Sequence, residues 1–213
     1  MVDKTSIQKA VMAALEKAPE RKFKESVDIT VNLRNIDMSQ PKNRIDETIL
    51  LPNSLDNVKI AVLGKGDITT QAKEVNVDLI IGPEEIERLG GEPREARKMA
   101  EEYQFFLAET AMMPLVGRYL GVRLGPRGRM PMPVPQGMDV RPIVQRLRSS
   151  VKIRTKDKKV FHAKVGSAGM EPAAIAENID VVLRRVESVL ESGALNIHSV
   201  YVKTTMGPAV RVI

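Results

Sequence analysis

Two kinds of hydrophobic pattern, and the places where one gives way to the other, constrain the fold of this chain more than any other feature. Over residues 23–33, Phe23, Val27, Ile29, Val31 and Leu33 alternate with Lys24, Ser26, Asp28, Thr30 and Asn32. Successive side chains of a strand point to opposite sides, so the pattern predicts a strand with one buried and one polar face. The pattern returns at the other end, where Val200, Val202 and Thr204 alternate with Ser199, Tyr201, Lys203 and Thr205. Between these ends, residues 58–63, 79–81 and 105–108 are short continuous apolar runs separated by helical periodicity. Such runs predict strands buried on both faces in a parallel α/β layer. The economical arrangement is two domains. Residues 1–56 and 151–213 form a discontinuous α+β domain with an antiparallel sheet, and residues 57–150 form an inserted Rossmann-like α/β domain. The chain would cross between them near 57 and 150.

Helical spacing supports this division. Ile7, Ala10, Val11, Ala14, Leu15 and Ala18 share one face of a helix over 6–18, with Thr5 as the expected N-cap and Pro19 as the stop. Ile175, Ile179, Val182, Leu183, Val186 and Leu190 form the stripe of a helix over 172–191, ended by Gly193. Val151, Ile153 and Thr155 match Phe161, Ala163 and Val165 as a hairpin across a turn near Asp157 and Lys158. Its opposite face would carry Lys152, Arg154, Lys156, His162 and Lys164.

Composition narrows the function classes. The 213 residues contain no cysteine and two histidines, which leaves no thiolate nucleophile, no disulfide and too few ligands for most metal sites. No metal or cofactor is expected. Neither a signal peptide nor a membrane span is legible, so the expectation is a cytoplasmic chain, monomeric when free, with no membrane partner. The net charge of +6 is 0 over residues 1–56, +2 over 57–150 and +4 over 151–213. A basic surplus concentrated near one end points weakly to nucleic acid. With aromatics at 3%, recognition by stacking many bases is disfavoured.

Three stretches could carry chemistry. Gly64-Lys65-Gly66 follows a predicted strand, but Thr69 stands where the dinucleotide fingerprint wants its third glycine. A Rossmann-type nucleotide-binding enzyme with a basic accessory domain is therefore the alternative reading. The stretch from Gly117 to Gly137 is rich in glycine, proline and arginine and contains no acid. It reads as a stiff loop whose Arg123, Arg127 and Arg129 offer a second nucleic-acid contact. In the last stretch, the polar side of residues 199–205 leads into Met206-Gly207-Pro208. There Gly207 would permit a backbone conformation closed to other residues and Pro208 fixes its own φ. No Ser-His-Asp set or close carboxylate pair is legible.

Three segments together resemble the ribosomal protein L1 family, the large-subunit stalk proteins. They are Phe23-Lys-Glu-Ser-Val-Asp-Ile-Thr-Val-Asn-Leu33, Gly121-Val-Arg-Leu-Gly-Pro-Arg-Gly-Arg-Met-Pro133 and Tyr201-Val-Lys-Thr-Thr-Met-Gly-Pro-Ala-Val210. The resemblance spans essentially the whole chain, and the compact length looks like the archaeal branch. It implies the same two-domain split, binding of large-subunit ribosomal RNA by the terminal domain, and no enzymatic activity. It further implies repression of translation through the protein's own messenger RNA. A mobile stalk on the ribosome, tied to release of exit-site transfer RNA, is implied as well. Carried over by motif, the RNA-binding residues would be Lys22, Phe23 and Ser26 on the first strand and His162, Lys164 and Gly166 on the hairpin. Ser199, Thr205, Met206, Gly207 and Pro208 would complete them. Ser26 stands where many members carry threonine, which keeps the hydroxyl.

Overall fold

The computed structural model describes residues 3–213. In chain order come α1 (Lys4–Glu16), β1 (Ser26–Leu33), β2 (Asp46–Leu50), β3 (Ile60–Leu63), α2 (Asp67–Glu74), β4 (Leu79–Ile81), α3 (Pro83–Gly91), α4 (Pro93–Glu102) and β5 (Phe105–Glu109). Then follow α5 (Met113–Tyr119), α6 (Gly121–Leu124), β6 (Met132–Val134), α7 (Arg141–Arg148), β7 (Ser150–Arg154), β8 (Val160–Ser167), α8 (Pro172–Val189), β9 (Ile197–Thr204) and β10 (Val210–Arg211). The elements form two compact units, Met1–Asp56 with Ser149–Ile213, and Asn57–Arg148.

The first unit is built on an antiparallel sheet in the order β10-β9-β1-β8. Its central strand comes from one end of the chain and its neighbours from the other. Val27, Ile29 and Val31 lie opposite Thr204, Val202 and Val200 of β9, and Ile29 and Val31 lie opposite Ala163 and Phe161 of β8. These residues are buried, as are Ile7, Val11 and Ala14 of α1 and Ile175, Ile179, Val182 and Val186 of α8. Both helices therefore cover the apolar side of the sheet. Burial of each valine or isoleucine there contributes about 1.5–3 kcal/mol. A Cβ on Gly166 would come within 2.8 Å of Ile175 Cγ1, so the glycine lets β8 lie close to α8.

Three expectations fail here for local reasons. β7 does not form a hairpin with β8. It pairs with β2 in a separate two-stranded sheet, with Ile49 opposite Val151 and Asp46 opposite Arg154. Asp46 sits between Lys152 (3.3 Å) and Arg154 (3.2 Å), an ion match that the β8 pairing would not supply. Phe23 is 54% exposed, because β1 begins only at Ser26 and the alternation upstream has no strand to act on. Finally, α1 starts at Lys4, and Asp3 rather than Thr5 is its N-cap, with the Asp3 carbonyl accepting from Ser6 and Ile7.

The second unit holds a parallel sheet in the order β4-β3-β5-β6, so the direction of winding reverses between β3 and β5. Ala61, Leu63, Phe106 and Ala108 face one helical layer and Ile60, Val62, Phe105 and Leu107 the other, as parallel strands buried on both faces require. The glycine- and arginine-rich stretch is more ordered than a loop. It contains the end of α5, then α6, a left-handed residue at Gly128 (φ 70°), and β6 as a fourth strand on the sheet edge. An edge position accommodates Pro133, which has no N–H to give to a further neighbour.

Candidate nucleic-acid interface

Antiparallel pairing aligns polar residues across the uncovered side of the four-stranded sheet. Lys164, Asp28 and Lys203 form one row, and His162, Thr30 and Tyr201 the next. Asn32 stands beside Ser199, and Arg211 beside Tyr201. Within these rows, Thr30 Oγ1 and His162 Nδ1 are 2.9 Å apart, and Asn32 Nδ2 donates to Ser199 Oγ at 2.8 Å. Thr205 lies six positions beyond Ser199, so the face is about 20 Å long.

The turn after β9 closes one end of this face, and its backbone donors are held by the protein itself. The Thr205 N–H donates to the Ser26 carbonyl (3.1 Å), that of Met206 to Glu25 Oε1 (3.1 Å) and that of Gly207 to Thr204 Oγ1 (3.0 Å). Pro208 has no N–H, so the turn is fixed before any ligand arrives. Thr205 and Pro208 are exposed, and Met206 is 55% exposed. Gly207 does not adopt the left-handed conformation expected of it, since the positive-φ glycines are Gly66, Gly128, Gly137 and Gly193. It is required for space: a Cβ there would run into the Thr204 hydroxyl that accepts its own N–H.

The remaining candidates lie in three settings. Lys22 and Phe23 are exposed in the segment leading into β1, beside the turn through Glu25 and Ser26. Lys164 Nζ donates to the Asp56 carbonyl at 3.0 Å, and His162 is exposed one row further along. Gly166 and Ser199 are buried, Ser199 at 5% exposure. Gly166 acts by letting β8 approach α8, and the Ser199 oxygen already accepts from Asn32.

Sequence reasoning missed three carboxylates. Glu25, 4% exposed, pins Met206; a charge at an inward-facing position of the alternation was the available signal. Asp56 forms an ion pair with Lys24 and accepts from Ser167 Oγ at 2.7 Å, which together hold its carboxyl below the usual range. Asp28 accepts from Ser26 Oγ at 3.2 Å. Burial pushes its pKa up, opposed by that hydroxyl and by Lys164, Lys203 and His162.

In the second unit, the arginines of 117–137 have internal work. Arg129 Nη1 donates to the carbonyls of Ala100 (2.7 Å) and Glu101 (3.0 Å) and meets that of Tyr103, closing the C-terminal end of α4. Arg127 bonds Glu101 Oε1 at 3.0 Å and the Arg123 carbonyl at 3.2 Å, and Arg123 itself is half-buried in α6. At the winding reversal, where a Rossmann fold would bind phosphate, a carboxylate of the chain is present instead. Glu109 accepts from the Lys65 N–H (3.4 Å) and from Gln136 Nε2 (2.8 Å). Among the described residues, no helix is long and apolar enough to cross a membrane.

Comparison with known proteins agrees with the sequence motifs. The model of the family described as "Ribosomal protein L1p/L10e family" matches residues 14–208. The chain is 90% identical over 213 residues to a Methanoculleus marisnigri protein and 67% identical over 214 residues to one from Methanoregula boonei, with both chains covered in full. An Archaeoglobus fulgidus protein is 48% identical over 214 residues, again with full coverage. All three are named large ribosomal subunit protein uL1. A match of this length and identity is decisive: the chain belongs to the ribosomal protein L1p/L10e family, a family of structural proteins and not of enzymes.

Proposed function

We propose that this protein is a structural constituent of the large ribosomal subunit that binds large-subunit ribosomal RNA. The contact surface is the uncovered sheet face of the first unit together with the turn at 205–208. The observation that carries this reading is the fixed turn, which holds an exposed hydroxyl, a thioether and a proline at the end of a face that carries Lys164 and Lys203 on either side of Asp28. Lysines on a sheet supply the salt-dependent attraction to phosphates, and rigid hydroxyls can meet the 2′-hydroxyls that distinguish RNA from DNA. Family membership supports the rest: a mobile stalk on the cytoplasmic ribosome, involvement in release of exit-site transfer RNA, and repression through the same face by binding the protein's own messenger.

Footprinting of the full chain on purified large-subunit RNA tests the central statement. A compact protected site, competed by the protein's own messenger, is the expected result. Equal affinity for an unrelated transcript of the same length would refute it. For the stalk, ribosomes stripped of the protein should release deacylated transfer RNA from the exit site more slowly, and unchanged release would refute that part.

A further inference from the structure

Ser26 and Thr205 each carry one hydroxyl proton, and the surrounding geometry shows where both go. Ser26 Oγ lies 3.2 Å from Asp28 Oδ2 and 3.0 Å from Thr205 Oγ1. Thr205 Oγ1 also accepts the Ser26 N–H at 3.2 Å and lies 3.4 Å from the Ser26 carbonyl. An ionised carboxylate only accepts, so the Ser26 proton is directed to Asp28. Thr205 then places its own proton on Ser26 Oγ or on the Ser26 carbonyl. In either case both protons are used inside the protein, and the edge presents oxygen lone pairs outward.

We propose that Asp28 is a positioning residue that fixes the polarity of this hydroxyl pair, so that the edge accepts hydrogen bonds from ribose 2′-hydroxyls. The inference rests on the RNA-binding reading above. It makes a prediction of opposite sign to simple electrostatics. Asp28 stands between Lys164 and Lys203, so removing its charge should tighten binding to a polyanion if charge alone mattered. If Asp28 orients the hydroxyls, its removal weakens binding, because the freed protons then face the donors of the RNA.

The test is a titration of the full-length protein against a transcript of the large-subunit RNA segment that the wild type protects. Asp28→Val should bind about tenfold more weakly, the loss of roughly one hydrogen bond at a dry contact. Asp28→Asn, nearly isosteric and safe for the strand, keeps an acceptor oxygen for the Ser26 hydroxyl and should bind more tightly than Asp28→Val. Ser26→Ala should weaken binding by itself and abolish any further loss from Asp28→Val, a coupling that general damage to the sheet would not produce. The wild type should bind a 2′-fluoro transcript, which cannot donate, about tenfold more weakly. The proposal is overturned by unchanged or tighter binding of Asp28→Val, by additive effects with Ser26→Ala, or by indifference to 2′-fluoro substitution. A wild type that does not prefer this segment to an unrelated transcript refutes the parent reading instead, and this inference with it.

Discussion

Thr205→Val is the sharpest single perturbation of the proposed interface, because it changes one oxygen for one methyl on an exposed residue. The lost oxygen accepts the Ser26 N–H at 3.2 Å and contacts Ser26 Oγ at 3.0 Å. In the free protein water can replace both partners, so the stability cost should stay below about 1 kcal/mol. In the complex, RNA excludes that water and leaves the Ser26 N–H without an acceptor, which costs about 1–3 kcal/mol. The expected loss of RNA affinity is therefore roughly 5- to 150-fold. Thr205→Ser keeps the oxygen and should recover most of it. Equilibrium titration at fixed salt, paired with urea denaturation, separates the two quantities. Unchanged affinity would remove Thr205 from the interface. An affinity loss matched by an equal stability loss would show that the residue only holds the turn.

Further predictions follow from the geometry elsewhere. Gly207→Ala should destabilise the first unit by about 1–3 kcal/mol through overpacking against Thr204, read by chemical denaturation; full stability would mean the turn has room to spare. Lys203→Ala should reduce the salt slope of RNA binding by roughly 0.7–0.9, whereas Lys152→Ala, whose partner is Asp46 in the other sheet, should leave it unchanged. Arg129→Met should lower the stability of the second unit by about 2 kcal/mol by exposing the carbonyls at the end of α4, and a thermal melt showing no shift would refute that role. Asp28 has a raised folded-state pKa, so between the unfolded and folded values the native state binds more protons and stability rises as pH falls. The stability of wild type relative to Asp28→Asn should therefore increase on acidification through the carboxylate range; a constant or decreasing difference would contradict the burial of that carboxyl.

Facing was legible in the sequence, while partnership was not. The alternation in β1 and β9 correctly separated Val27, Ile29, Val31, Val200 and Val202 from Ser26, Thr30, Tyr201 and Lys203. The same alternation in β7 says which side is buried but is silent on the neighbour, and so β8 was expected where β2 lies. Phe23 fits the pattern by composition, yet the strand has not begun there. Proline at 131, 133 and 135 concealed β6, since a lone edge strand tolerates residues that a central one does not. Arginines 127 and 129 looked free for phosphate because, apart from the Arg123 carbonyl, their acceptors are backbone carbonyls and a glutamate some 26 to 29 residues distant, which no local reading reveals. Ser26 meets Thr205 and Glu25 meets Met206, but although Glu25 and Asp28 lie inside the first motif, nothing local says which partners their carboxylates take.

The central position of β1 also governs when this protein can act. The hydroxyl pair of Ser26 and Thr205 joins residues 179 positions apart. A ribosome synthesising the chain exposes β1 early, yet the strands on either side of it emerge only after the entire insert. The insert has its own core and can complete co-translationally, while the apolar side of β1 must wait for its cover. A nascent chain truncated before residue 204 thus lacks the assembled polar face, and on the proposed reading it has nothing with which to hold RNA.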